Sequence, residues 1–399
     1  MNLSRIILKS TDFLLILFVL FTVLPVKLNF SSITIILLAI LSIIHFLIPK
    51  NRNFNTANYH IFIISVPLAI YALGLLNTSN TDYGLTFITK NLSFLAFPLI
   101  FFSIGRHVNR IKLFKSFLFG LALTNLFLIY LFFYYFNFGA KFYMIVSVEI
   151  YHSTYLGMYN LLAFWICIDF YIRKSKKIYL FIALFFLVSA LLTSARMIFI
   201  LSILSLGTAL LYIIKSNGNK ILALLLLSSI GITLLLSIPS FKQKFHQLID
   251  LEQLSFDKDN YQSISSRFGK IEATLEIINN NFWLGSGTGD LKDELVKEYE
   301  RMEFVMGYKH RYNPHNQFLE NLARNGVIGG GICLISIYFW PLYMSIRRRQ
   351  ILLTAFILVV SGVSLTESIL DLHKGITFYV FFVTLMMSPI VQNKTVPKP

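Results

Sequence analysis

Residues 178–215 read IYLFIALFFLVSALLTSARMIFILSILSLGTALLYIIK. Two apolar runs, 178–194 and 197–214, meet at one polar turn that holds Arg196. Arg173, Lys174, Lys176 and Lys177 precede the first run, and Lys215 and Lys220 follow the second. Each run approaches the ~20 residues a helix needs to cross a bilayer core. Lys and Arg collect on the cytoplasmic side of membrane helices. The stretch therefore predicts a helical hairpin whose turn, with Arg196, lies on the outer face.

The same pattern extends outward over most of the 399 residues. Apolar segments fall near 13–30, 31–48, 60–76, 85–104, 113–136 and 151–172 before the hairpin. Others follow near 220–238, 326–346, 351–366 and 375–391. The sequence predicts an all-α membrane protein of about 12 transmembrane helices. Only 14% of residues are charged and mean hydropathy is +0.69, against roughly 25% charged in a soluble domain. An apolar soluble protein is excluded on that ground. The net charge of +16 would suggest nucleic acid in a soluble chain, but here the placement of the cations explains it and no nucleic-acid partner is expected. Cys167 and Cys333 both fall inside apolar segments, so neither a disulfide framework nor a zinc site is indicated. Arg5 and Lys9 precede the first apolar run without a small-residue cleavage site after it. That run reads as an uncleaved first helix.

When the connections are numbered alternately from the inside, nineteen Lys and Arg fall on the inner connections. Five fall on the short outer ones: Lys27, Lys90, Lys141, Arg196 and Lys374. Three units follow. Residues 1–238 carry helices 1–9, residues 239–314 form a large extracytoplasmic loop, and residues 315–399 carry helices 10–12. The loop is too long to be a bare link and reads as partly helical. Ser265–Ile278 has apolar residues at helical spacing, and Asp290–Phe304 is a charged helix. Between them Gly285-Ser286-Gly287-Thr288-Gly289 reads as a turn. No strand precedes it, and its spacing fits no nucleotide-binding pattern.

A few polar residues at the outer face could carry chemistry. A membrane-edge arginine such as Arg196 is costly and functional by default. Its guanidinium fork matches phosphate oxygens, and the alternative is a snorkelling side chain at a tight turn. His315 lies in Asn313-Pro314-His315-Asn316-Gln317. With Asn313 as N-cap and Pro314 at the first helical position, His315 would occupy the first turn of an incoming helix. The positive end of the helix dipole would there favour a neutral imidazole. The alternative is a packed histidine at a loop end. Arg324 is expected to face away from His315. Arg267 opens the first loop helix and, on spacing alone, reads as a solvated surface arginine. Glu149, His152, Glu367, Asp371 and His373 gather at outer helix ends. Asp257-Lys258-Asp259 reads as a solvated turn rather than a metal site.

Taken together, these motifs resemble the O-antigen ligase and O-antigen polymerase family. His315-Asn316-Gln317-Phe318-Leu319 running to Gly326-Val327-Ile328-Gly329 is similar to its His-Asn signature. Ser194-Ala195-Arg196 is similar to the Ser-x-Arg at the outer end of a mid-chain helix. Arg267, the Leu284–Gly289 turn and Glu367 in Leu365-Thr366-Glu367-Ser368 also match. The resemblance implies a GT-C-like membrane glycosyltransferase of the bacterial inner membrane, with its active site facing the periplasm. It implies a glycan donor on undecaprenyl pyrophosphate and a sugar hydroxyl of lipid A–core as acceptor, with no metal and no cofactor. His315 would be the general base, and Arg196 and Arg267 would bind pyrophosphate. Asn316, Glu367 and His152 would line the site. The alternatives are a polymerase joining lipid-linked repeat units, or a transporter of lipid-linked sugars. The latter class would carry internal repeats and broken helices, and the sequence shows neither.

Overall fold

The structure, a computed structural model, describes residues 3–25, 30–48, 56–135, 142, 145, 146, 152–214, 216–220 and 263–388. Every regular element among them is helical. Eight helices are long and apolar enough to cross a membrane: Leu3–Val23, Phe30–Leu47, Tyr59–Asn77, Thr81–Ile104, Arg110–Tyr135, Ser153–Lys174, Arg196–Ile213 and Gln317–Arg347. Ile178–Leu192, Ile351–Ser364 and His373–Met387 are shorter apolar helices. Each of these eleven corresponds to a segment expected from the sequence. The segment near 220–238 lies outside the described residues, as do Glu149, Asp257-Lys258-Asp259 and the first part of the large loop. The chain is a multi-pass membrane protein.

Two boundaries move. The first helix begins at Leu3 rather than near 13, because isolated Arg5 and Lys9 do not interrupt a helix, and it ends at Val23 ahead of Pro25. The tenth expected segment begins at Gln317 rather than near 326. Its first turns carry Glu320, Asn321, Arg324 and Asn325, which depress hydropathy, yet all four are buried among partners.

Burial sorts the helices. Ser153–Lys174 and His373–Met387 are enclosed on nearly all sides, and the Tyr159 and Phe378 rings meet between them at 4.3 Å. Asn160 and Asn125 exchange amide hydrogen bonds within the bundle, the shorter at 2.7 Å. Such pairs hold membrane helices together where apolar contact gives no preference over lipid. The hairpin helix Ile178–Leu192 packs on Ser153–Lys174 through Ala183, Phe186 and Ala190. It leaves Phe181, Leu184 and Val188 exposed. A row of exposed large apolar side chains on a helix this hydrophobic is the face that meets lipid.

The large loop is fastened to the bundle by its glycine-rich turn. Gly285 (φ +74°) and Gly287 (φ +99°) have backbone angles that a side chain tolerates poorly. The turn runs against a break at Gly326 (φ +65°), in the helix from Gln317. Ser286 N donates to Ala323 O at 2.9 Å and Gly287 N to Arg324 O at 3.1 Å. Val327 N donates to Phe282 O at 2.8 Å. These are the backbone groups the break sets free, so the turn completes the ladder of the broken helix. On its other side Thr288 Oγ1 donates to Tyr71 O at 2.7 Å, and Asp290 accepts from Ser79 N and Asn80 N, both at 2.7 Å. A Cβ on Gly326 would collide with the Trp283 carbonyl, and one on Gly285 would collide with the Gly326 amide. The turn is thus a clasp between two membrane helices.

Two outcomes are expected. Gly326→Ala should lower the thermal midpoint in detergent, since a positive φ of this kind costs about 1–3 kcal/mol before the backbone collision is counted. An unchanged midpoint would contradict the clasp. Cysteines at the exposed positions Lys309 and Ser216 should label oppositely with an impermeant maleimide: Lys309→Cys in intact cells, Ser216→Cys only after lysis. Equal labelling would contradict the orientation drawn from the cations.

Candidate active site

His315 stands just before a membrane helix, not inside its first turn. Asn316 is the N-cap of Gln317–Leu334, and its side-chain oxygen accepts from Phe318 N at 2.9 Å and Leu319 N at 3.1 Å. Two asparagines compete for the cap, and the one directly preceding the helix takes it. Asn313 instead accepts from His315 N at 3.2 Å, which closes a small turn around Pro314. His315 consequently sits at φ +49°. Histidine is among the residues that enter this left-handed region more readily than most, and such backbone outliers gather at functional sites. Asn316 also donates to Leu365 O at 3.2 Å. It ties the histidine turn to the segment that carries Glu367.

His315 Nδ1 lies 3.1 Å from Glu367 Oε2. Burial works to raise the Glu367 carboxyl. The hydrogen bond from His315 and the charges of His315, His152 and Arg267 outweigh it, so its pKa is lowered. An ionised carboxylate can only accept, so Nδ1 carries the hydrogen, and in the neutral imidazole Nε2 is the nitrogen with the lone pair. A buried carboxylate that fixes the tautomer and orientation of an imidazole is an arrangement suited to a general base.

The two sequence-distant arginines converge here. Arg267 acts on Glu367, and Arg196 feels the charge of Arg267. Arg196 begins the helix Arg196–Ile213, after Ser194 at φ +54° turns the chain. Arg267 begins the second turn of Ser263–Asn280. His152 precedes Ser153–Lys174 and faces Glu367 electrostatically. The structure thus gathers His315, Glu367, His152, Arg267 and Arg196 from five separate segments of the chain.

Lys270 joins them and was missed from the sequence. It is 6% exposed, one turn beyond Arg267, and its ammonium lies 4.0 Å from the centre of the Tyr312 ring. The Tyr312 ring in turn stands edge-on to His315 at 6.4 Å. Burial first, and Arg267 second, push the Lys270 amine down to about 8, against the pull of Glu367. The spacing of Arg267 and Lys270, three residues apart on one helix face, was the signal available beforehand. A second pair was also missed. Glu320 and Arg324 are both buried and form an ion pair at 2.8 Å. Arg324, expected to face away from His315, instead lines the same cavity.

Residues 180–334 match the family model described as O-antigen ligase. The match spans Arg196, Arg267, Lys270, the glycine clasp and His315, and ends before Glu367. That similarity supports a membrane enzyme of O-antigen or related polysaccharide assembly. No curated protein matches the chain.

The low Lys270 value has a consequence for stability. Between about 8 and the ordinary lysine value near ~10.4, the unfolded chain holds a proton that the folded one has shed. Stability contributed by this site therefore rises with pH across that window. The thermal midpoint of the wild type relative to Lys270→Met should increase from pH 8 to pH 10. A constant difference would show that the amine is not held at a depressed value.

Proposed function

We propose that this protein transfers a glycan from undecaprenyl pyrophosphate to a sugar hydroxyl of lipid A–core, at the periplasmic face of a bacterial inner membrane. The observation that carries the reading is the His315–Glu367 contact at 3.1 Å, with Arg267 acting on the same carboxylate. No ATP is available on that side, so the donor brings its own leaving group. The acceptor hydroxyl oxygen attacks the anomeric carbon as its proton passes to His315 Nε2. The bond from that carbon to the pyrophosphate oxygen breaks, and the lipid pyrophosphate departs with the electron pair. Arg196 and Arg267 meet the charge that develops on it, and Lys270 adds a third cation behind Arg267. Direct displacement of this kind inverts the anomeric centre. In this reading the arginines, rather than a metal, answer the leaving-group charge. Two substrates anchored in one membrane supply the proximity contribution.

A polymerase would use the same donor chemistry with a lipid-linked glycan as acceptor. The family description favours the ligase. The test is reconstitution in liposomes with lipid-pyrophosphate-linked glycan and each acceptor in turn. His315→Ala and His315→Gln should lower turnover per folded molecule by roughly 10²-fold or more, with donor binding retained. Glu367→Gln should lower turnover in the same direction, because the tautomer is no longer enforced. Arg196→Lys should weaken donor binding, since a point charge lacks the fork. Near-wild-type turnover in both His315 variants would remove the histidine from the mechanism.

A further inference from the structure

A cavity of about 210 Å³ opens beside His315, walled by Tyr83, Lys292, Arg311, Tyr312, Glu320 and Asp371. Arg196, Arg267 and Lys270 do not line it. Its charges are largely cancelled in pairs. Arg311 reaches Asp293 at 2.5 Å, Glu320 reaches Arg324 at 2.8 Å, and Lys90 approaches Asp371 at 3.9 Å. An anion would find little net positive charge, whereas a neutral polyol would find many fixed donors and acceptors. Glu320 is 2% exposed and is held within that wall by Arg324 and Ser368. Tyr83 and Tyr312 supply aromatic walls for the apolar face of a sugar ring, and Lys292 lies 5.7 Å from the centre of the Tyr83 ring. The size sets the ligand. Pockets for drug-sized molecules run to about 300–1,000 Å³, so this one suits a single pyranose.

We propose that this cavity binds the terminal neutral hexose of the acceptor and turns one of its hydroxyls toward His315. The inference rests on the glycosyl-transfer reading above. It adds that donor and acceptor occupy chemically distinct sides of the histidine: a surplus of cations for the pyrophosphate, and neutralised polar groups for the sugar.

Two measurements test it in full-length protein in proteoliposomes. Cys167 and Cys333 are buried, so a single cysteine introduced as Lys292→Cys reports on the cavity through its rate of maleimide labelling. Methyl hexosides of gluco, galacto and manno configuration are the probes, with inorganic phosphate as the anionic control. At least one hexoside should slow labelling by threefold or more, and phosphate should not. Protection by phosphate alone, or by no probe, overturns the proposal. The second measurement is acceptor kinetics of Tyr83→Ala, at unchanged donor. Its KM for acceptor should rise at least tenfold with kcat within threefold of the wild type. An unchanged KM also overturns the proposal. If the wild type transfers no glycan while a hexoside still protects Lys292→Cys, the transfer reading fails and the sugar site stands.

Discussion

A guanidinium buried at the edge of a membrane is several kcal/mol uphill unless its charge and its N–H groups all find partners. Arg324 finds them in three different parts of the chain. It meets Glu320 on its own helix, the Thr288 carbonyl in the glycine-rich turn at 2.7 Å, and the Phe87 ring at 3.9 Å. Removing any one leaves a buried charge under-satisfied. The arginine therefore fixes where the large loop sits, and through the loop it fixes where the helix from Gln317 begins. Because His315 precedes that helix by two residues, its position depends on this one cation. The clasp at Gly326 supplies the backbone half of the same junction, with the Val327 amide and the Ala323 and Arg324 carbonyls paired to the turn segment.

Charge is unevenly distributed around His315. Arg267 repels both Arg196 and Lys270, and burial first and Arg267 second depress the Lys270 amine. On the cavity side of His315, Arg311, Arg324 and Lys90 each lie against a carboxylate. Glu367 lies between the two regimes. Its carboxyl pKa is lowered by the hydrogen bond from His315 and by its other neighbours, Arg267 among them, and its contact with Nδ1 orients the imidazole.

Much of this was legible in the sequence, and the exceptions have physical causes. The helices are set by apolar length and cation placement, both local, and eleven expected segments appear. Arg196 stood out because a cation at a membrane edge is expensive, His315 by its place after Asn-Pro at an incoming helix, and Glu367 through the family resemblance. Lys270 did not, because a loop lysine is ordinarily solvated and its burial depends on Tyr312, forty-two positions away. The cap at Asn316 was misassigned to Asn313 because Asn-Pro satisfies the local rules equally well, and only the turn around His315 decides between them. The role of the glycine turn was hidden for a similar reason. Its glycines answer to a backbone break at Gly326 that leaves no mark in the hydropathy.

The clasp limits how such a protein can diverge. The loop turn, the 74–80 bend and the 323–327 break share hydrogen bonds, so none is an exchangeable module. A chimera that imported another loop would bring a turn cut for a different break, and the orphaned amides would face hydrocarbon. Change on the cavity wall must then come one side chain at a time, while the backbone beneath stays as it is. Lineages of this architecture should differ most at surface-lining positions such as 83, 292 and 311 and least at the glycines, whatever sugars they have come to join.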